Sequence, residues 1–527
     1  MYTNNVEFPE KTYINQTNTP SDANRLLFFV NRLKYAFRLV VLKQYTTYYI
    51  DFLRLLMAKQ NEKLLRRLPS VDILLKDPDL ESCVAETPRK VVVNSIREAV
   101  SEVRELLIAQ KIHVMDEDMV RQRIVADTKR RIQAIMAPSY RRVVNATGII
   151  LHTGLGRAVL APQALQQIRE HLQGYSLLQS DIETGKRSKR DERIEWLLQQ
   201  LTGAEAATVV NNNAAATSIV LNTVARDKEV IVSRGQLVEI GGSFRLPDVM
   251  AFSGARLVEV GTTNKTHPED YTNAITENTA AILRVHPSNY KIQGFSSEVS
   301  LDKLVEIAHV HGLIMIDDVG AGALVDFSRF GFSPEPTLME SISTGADVVT
   351  SSADKLIGAS QGGIILGKAK LINAIRKNQF ARIVRVGKLT LAVLEATLKL
   401  FLDEAVALCE VPTLQMLRRD LTEITDQAEQ IASELSKGTS NADVTTTSGF
   451  SQMGSGSLPT QNLATTLVTI RPKEFRAESL AKQLRHRSIP IFARIQKDQV
   501  LVDPRTLRKG DDKIVLEALL EILGRKD

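Results

Sequence analysis

Val348–Gly367 reads VVTSSADKLIGASQGGIILG, an apolar run, one lysine, a glycine-rich turn and a second apolar run. The question it raises is why Lys355 sits where the pattern is interior. A lysine at the end of a strand usually runs its stem along apolar surface and keeps its ammonium in water. The other reading is covalent. A lysine in a partly desolvated pocket has a lowered pKa, and its free amine can form a Schiff base. The rest of the chain decides between them.

The bulk properties narrow the class. A chain of 527 residues exceeds one core and implies about three or four domains. Two cysteines, Cys83 and Cys409, cannot make a disulfide framework, which fits a reducing, cytoplasmic compartment. No uncharged apolar run reaches the roughly 18 residues that a membrane span needs. The formal charge of +6 is mildly basic, so its distribution carries more than its total.

Four regions follow from the pattern. Residues 1–56 hold six of the ten tyrosines and include NRLLFFVNRLKYAFRLVVLKQYTTYYIDFLRLL, with no secretory cleavage pattern. They read as an extension of unknown role, either an upstream start or a docking helix, because Met57 opens what reads like a natural protein start. Residues 57–142 read as a helical N-terminal domain: RKVVVNSIREAVSEVRELL spaces apolar residues three and four apart. Met119 to Arg142 carries seven Lys/Arg against one acidic residue, either a solvated helix face or a surface for a polyanion. From 143 to 400, AATVV, EVIVS, RLVEV, AAILRVH, GLIMIDD and ADVVTSS alternate with helical stretches. Strands apolar on both faces imply an α/β domain whose mostly parallel sheet is covered by helices. Residues 401–527 read as linking helices, the Gly/Ser/Thr-rich TTTSGFSQMGSGSLPT, and a small α+β domain.

Three features of the α/β domain fall in a telling order. VVNNNAAATSIVLNTVA runs a strand into Asn211, Asn212 and Asn213 and then a helix of small residues. A helix start offers unpaired N–H groups and the positive end of a dipole, which suit a phosphate, although asparagines also cap helices with no ligand. GLIMIDDVGAGALVDF ends a buried strand in Asp317 and Asp318. Paired acids can bind metal, but no His/Cys cluster accompanies them, so no metal site is expected. Lys355 lies 37 residues beyond Asp318. Helix start, strand-end aspartate and strand-end lysine, in that order, is the arrangement of fold-type-I pyridoxal 5'-phosphate enzymes. There the lysine binds the aldehyde, the aspartate keeps the ring nitrogen protonated and the helix start anchors the phosphate.

Several segments then resemble one family in particular. NATGIILHTGLGRAVL, TGAEAATVVNNNAAA, VSRGQLVEIGGSFRLPDVM, VEVGTTNKTHPEDY, SNYKIQGF, DKLIGASQGGIILG, RIVRVGKLTLAVLEATLKLF and SQMGSGSLP resemble the bacterial selenocysteine synthases, the L-seryl-tRNA(Sec) selenium transferases. The likeness spans roughly residues 64–520, and LLRRLPSVDILLKDP is similar to the start of that family's tRNA-contacting N-terminal domain. The resemblance implies conversion of seryl-tRNA(Sec) to selenocysteinyl-tRNA(Sec) with selenophosphate, by β-elimination of water and addition of selenium, in a homodecamer. It implies Lys355 as the cofactor lysine, Asp318 as the ring-nitrogen partner and Asp354 as an active-site neighbour. It implies Arg157, Arg382 and Arg385 as the grip on selenophosphate, and Thr262, Thr263, Asp270 and Tyr290 as further site residues.

The chain departs from the family's pattern at Gly154, Gly387, Ser360 and Gly362, the last two standing where a Pro and an Ala are usual, and in VGAG after Asp318. These departures bear on the shape of the substrate pocket and remove no catalytic charge. The competing reading is a lyase or aminotransferase of the same fold, acting on a free small amino acid or a sugar-acid phosphate. Such enzymes commonly hold the substrate carboxylate with a C-terminal arginine, and Arg494 in PIFARI is the residue to examine. A tRNA ester has no free carboxylate to hold.

Overall fold

The computed structural model describes residues 65–109, 116–242, 244–287, 289–292, 294–457 and 461–524, so the 1–56 extension lies outside the described residues. The chain divides into two compact units, 1–141 and 142–527.

The first unit is built on helices α1 (Arg89–Ile108) and α2 (Glu117–Met136). Asp116 starts α2 by accepting the amide of Met119 at 2.8 Å. Val92, Ile96, Ala99, Val103 and Leu107 of α1 recur every three or four residues and are buried with Val120, Ile124 and Ile132 of α2. Three of the seven basic residues of the stretch are paired on their own unit. Arg121 pairs with Asp77 (2.6 Å) and Asp79 (3.1 Å), while Arg131 pairs with Glu98 (2.7 Å), Glu102 (2.5 Å) and Asp127 (2.7 Å). Arg130 also pairs with Asp127. Arg123 and Lys129 have no ion pair among the described residues.

The second unit opens with strand β1 (Val144–Ala146), followed by β2 (Ala206–Val210) and β3 (Glu229–Ser233). A short ribbon pairs β4 (Glu239–Ile240) with β5 (Phe244–Arg245). Then come β6 (Arg256–Val260), β7 (Thr279–Val285), β8 (Ile314–Gly320), β9 (Val348–Ser352) and β10 (Gly363–Gly367). Seven described strands form one sheet in the order β2-β10-β9-β8-β7-β3-β6. Only β10 runs antiparallel to its neighbours. This is the fold-type-I α/β architecture. Every residue of β2, β9 and β10 is buried, as strands covered on both faces must be. Because the other strands share one direction, Asn211, Asp318 and Lys355 emerge at the same edge of the sheet, where such folds keep their ligands.

The five-stranded sheet adds β11 (Ala442–Ser451), β12 (Leu463–Pro472), β13 (Ile491–Gln496) and β14 (Gln499–Val502), in the order β1-β13-β14-β12-β11. Two details differ from the sequence pattern. Residues 144–146 pair in parallel with β13, so the start of the segment assigned to the large domain belongs to this sheet. The Thr-rich part of the Gly/Ser/Thr stretch is strand, in continuous register with β12 from Ala442↔Pro472 to Ser451↔Leu463. Threonine is β-branched and suits a half-exposed pleat.

Candidate active site

Lys355 lies three residues past β9, in a tight turn closed by the Ala359 amide on the Ala353 carbonyl (3.0 Å). Its side chain is 5% exposed, and among the described residues nothing hydrogen-bonds or ion-pairs with its amine. Burial therefore pushes the amine below the usual lysine range, and the cation of Arg157 pushes it further. Asp354, Asp318 and Glu335 oppose that shift.

Asp318 is 4% exposed on the neighbouring strand β8. It accepts Asn213 Nδ2 at 2.8 Å, Thr217 Oγ1 at 2.9 Å and the Gly320 amide at 3.1 Å. Burial still pushes its carboxyl above the usual range. Its neighbour Asp317 points to the other face, where Arg284 (3.0 Å) and Ser341 (2.7 Å) hold it. The two acids alternate along the strand and do not form a pair.

Asn213 opens helix α3 (Asn213–Val224), and Asn212 caps it by accepting the Ala215 amide at 2.8 Å. The three asparagines thus have different tasks. Asn212 ties the helix start and Asn213 holds Asp318, while the Asn211 amide binds the Val384 carbonyl at 2.9 Å. The first-turn amides have no acceptor within the helix and face the edge where Asp318 and Lys355 emerge. Gly363 makes the approach possible: a Cβ there would fall 2.1 Å from the Asn212 carbonyl oxygen.

The same edge is cationic. Arg157 binds Asp354 at 2.9 Å from a backbone at φ 62°, a conformation that non-glycine residues rarely adopt. Arg385 bridges to Val210 beside the helix start. Arg190 donates to the Val386 carbonyl at 2.8 Å, and burial, then Arg385 and Arg187, lower its pKa. Arg382 is exposed on the short helix Phe380–Ile383.

Three of the remaining residues lie several strands from Lys355 within one chain. Thr262, Thr263 and Asp270 follow the edge strand β6, four strand positions from β9, or roughly 19 Å at the usual interstrand spacing. Thr262 closes a turn on the Lys265 carbonyl at 3.0 Å, and Asp270 accepts the His267 amide at 2.8 Å. Tyr290, half-buried, donates to the Gly235 carbonyl. Arg494 is held by Asp503 at 3.1 Å and by the Phe450 carbonyl at 3.0 Å. Sequence reasoning missed Thr217, Arg190 and Glu335. Thr217 could have been found, since it sits one turn beyond Asn213 on the same helix face; Arg190 and Glu335 carry no spacing signal.

These residues fit pyridoxal phosphate: a buried amine without a partner, a buried carboxyl on the next strand and a helix start approached by glycine. Two family models match the chain: L-seryl-tRNA selenium transferase over residues 143–508 and selenocysteine synthase N terminal over residues 65–104. The chain is 43% identical over 462 residues to the L-seryl-tRNA(Sec) selenium transferase of Alkaliphilus oremlandii, covering 88% of this chain and 99% of that one. It is 44% identical over 463 residues to that of Alkaliphilus metalliredigens, covering 87% and 98%. The solved structure of D-glucosaminate-6-phosphate ammonia-lyase has 22% identity and a TM-score of 0.52, covers 74% of this chain and 99% of that one, and shares the fold alone. On these matches, the chain belongs to the L-seryl-tRNA selenium transferase family.

Proposed function

We propose that this protein converts seryl-tRNA(Sec) to selenocysteinyl-tRNA(Sec), with pyridoxal 5'-phosphate as cofactor and selenophosphate as selenium donor. The observation that carries the reading is the buried, unpartnered amine of Lys355 beside the buried carboxyl of Asp318. Lys355 would hold the aldehyde, Asp318 the ring nitrogen and the start of α3 the phosphate. When bound, the cofactor supplies an electron sink for charge developing at Cα of the substrate.

The chain's own residues do the rest. The Lys355 amine, its pKa lowered by burial, would take the Cα proton. An ester acidifies that proton more than a carboxylate does, which suits an aminoacyl-tRNA. Asp354 fixes Arg157 next to Lys355. Arg157, Arg382 and Arg385 offer planar, forked donors to a tetrahedral oxyanion. Arg494 is engaged by Asp503, which agrees with a substrate that brings no free carboxylate.

The helical unit, which begins within residues 57–142, is our choice for contact with the tRNA, with Arg123 on its exposed surface. A cytoplasmic homodecamer and places for Thr262, Thr263, Asp270 and Tyr290 in the assembled site complete the reading. No helix among the described residues is long and apolar enough to cross a membrane.

The test is incubation of purified protein with seryl-tRNA(Sec) and selenophosphate, scoring selenocysteinyl-tRNA. Wild type is expected to form it and Lys355→Ala to lose it together with the visible absorbance of bound cofactor. A protein that takes up no cofactor, or that binds tRNA(Sec) no better than other tRNA, refutes the reading.

A further inference from the structure

Among the described residues, five other than glycine have positive φ, and two of them, Arg157 at 62° and Ser455 at 51°, lie on loops that touch. Strain of this kind persists only where the surroundings enforce it, and it gathers at functional sites. Arg157 belongs to the site already described. Ser455 does not. It stands in MGSGS, between β11 and β12, where Gly454, Ser455 and Gly456 have φ of 82°, 51° and 66°. Glycine would suit all three positions, yet the middle one carries a side chain.

That side chain is fully used. The Ser455 hydroxyl donates to the Leu151 carbonyl. Its one proton being spent there, it accepts from the Thr153 hydroxyl at 3.0 Å. Leu151 and Thr153 flank His152, whose carbonyl accepts the amides of Leu155 and Arg157, both at 3.0 Å. One hydroxyl therefore brackets the residue from which the Arg157 amide hangs. The backbones are laced as well, Ile150 to the Gln452 carbonyl at 3.0 Å and Leu151 to the Met453 carbonyl at 2.7 Å. At its other end Arg157 meets Asp354 at 2.9 Å, next to Lys355. Asp354 is 7% exposed, and among the described residues Arg157 is its one ion-pair partner. The carboxylate fixes the guanidinium, while the strained backbone fixes the direction from which it arrives.

We propose that Ser455 is a positioning residue for Arg157: its hydroxyl, bonded to Leu151 and Thr153, sets the loop from which the guanidinium reaches Asp354 and the oxyanion of the selenium donor. The proposal deepens the seryl-tRNA reading above and rests on it for the identity of that anion. Ser455 acts only through Arg157.

The first measurement needs no substrate. Phenylglyoxal modifies accessible arginines, and mass spectrometry reads each position in the full chain. Ser455→Ala and Ser455→Gly should each raise the labelling rate of Arg157 about fivefold, as loss of hydrogen bonds to one loop predicts. Arg382, already exposed, should label at the wild-type rate in both. Glycine relieves the backbone at 455 and alanine does not, so equal gains identify the hydroxyl as the cause. Wild-type protection of Arg157 in Ser455→Gly, or in both variants, overturns the proposal. With seryl-tRNA(Sec) and selenophosphate, Ser455→Ala should raise KM for selenophosphate about fivefold and leave dehydration within about twofold of wild type. A structural defect would lower both half-reactions together, and that result also overturns the proposal. Should Ser455→Ala fail to fold, Thr153→Val removes the same contact from an exposed residue, with Thr153→Ser as its rescue. Wild-type labelling of Arg157 in Thr153→Val would then overturn it. If wild type turns over no seryl-tRNA(Sec), the functional reading has failed, and the labelling still decides the role of Ser455.

Discussion

Gly363→Ala should unseat the cofactor site while leaving every catalytic side chain in place. Gly363 begins β10, opposite Val210 on one side and Ser352 on the other. A Cβ there would meet Asn212 O at 2.1 Å, Asn212 C at 2.5 Å and Asn213 N at 3.0 Å. All three are backbone atoms, so no rotamer relieves the clash. Ordinary contact requires the start of α3 to retreat by about 1 Å. The Asn213–Asp318 bond, now 2.8 Å, would then stretch past hydrogen-bond range. Weakening a bond to a buried carboxyl costs about 1.5–3 kcal/mol, and overpacking adds about 1–3 kcal/mol. The melting temperature should fall by roughly 6–15 °C, with cofactor affinity at least about tenfold weaker. Gly362→Ala is the control. Its Cβ would meet nothing closer than Val209 Cγ1 at 3.5 Å. It should melt within about 1 °C of wild type. Thermal melts and cofactor titration of both variants check this, and equal behaviour of the two refutes the steric argument.

Three further outcomes follow from the site. Arg382→Ala, whose side chain is exposed and so removable without core damage, should weaken use of selenophosphate at least about tenfold while dehydration of seryl-tRNA(Sec) stays near wild type; equal losses in both half-reactions count against its role as a donor-anion ligand. Arg494→Ala should cost about 1–2 kcal/mol of stability by removing one donor from the fully buried Asp503, with KM for seryl-tRNA(Sec) unmoved, and a raised KM without a lower Tm would contradict the structural assignment. In cofactor-free protein the lowered pKa of Lys355 means that, between its folded value and about 10.4, the unfolded chain holds a proton the native state lacks. Stability should therefore rise with pH across that window, by up to about 1.4 kcal/mol per pH unit, and Lys355→Met should flatten the slope in denaturant titrations.

The large sheet was legible because parallel strands buried on both faces read as short apolar runs, and six of its seven were marked that way. Lys355, Asp318 and the helix start were legible for the same reason: a common strand direction turns chain order into one shared edge. Strand β1 was not. Three residues cannot carry a periodicity, and their partner β13 lies about 350 residues downstream. The basic stretch around α2 misled in part, because sequence counts charge without showing that Asp77, Glu98 and Glu102 fold back onto Arg121 and Arg131. Arg494 likewise looked available until Asp503, nine residues on, proved to hold it across the β13–β14 hairpin. Patterns within an element survive translation into structure, whereas charges are claimed by partners that only the tertiary fold supplies.

The directions of the two pKa shifts bear on the proposed site. Burial disfavours the charged form of each group, pushing the Asp318 carboxyl up and the Lys355 amine down. A lowered pKa makes the free amine of Lys355 more available to an aldehyde. Asn213 and Thr217 point donors at the two carboxyl oxygens of Asp318, which would orient it toward the ring nitrogen of a bound cofactor. Asp318→Asn keeps the size and one acceptor but carries no negative charge to set against a protonated ring nitrogen. The variant should still bind the cofactor through Lys355 within about tenfold of wild type. It should lose Cα-proton exchange of seryl-tRNA(Sec) by about 100-fold or more, because the ring no longer draws charge from Cα. Deuterium wash-out at Cα measures this directly. Wash-out at the wild-type rate in Asp318→Asn would mean that the acid on β8 serves only to anchor α3.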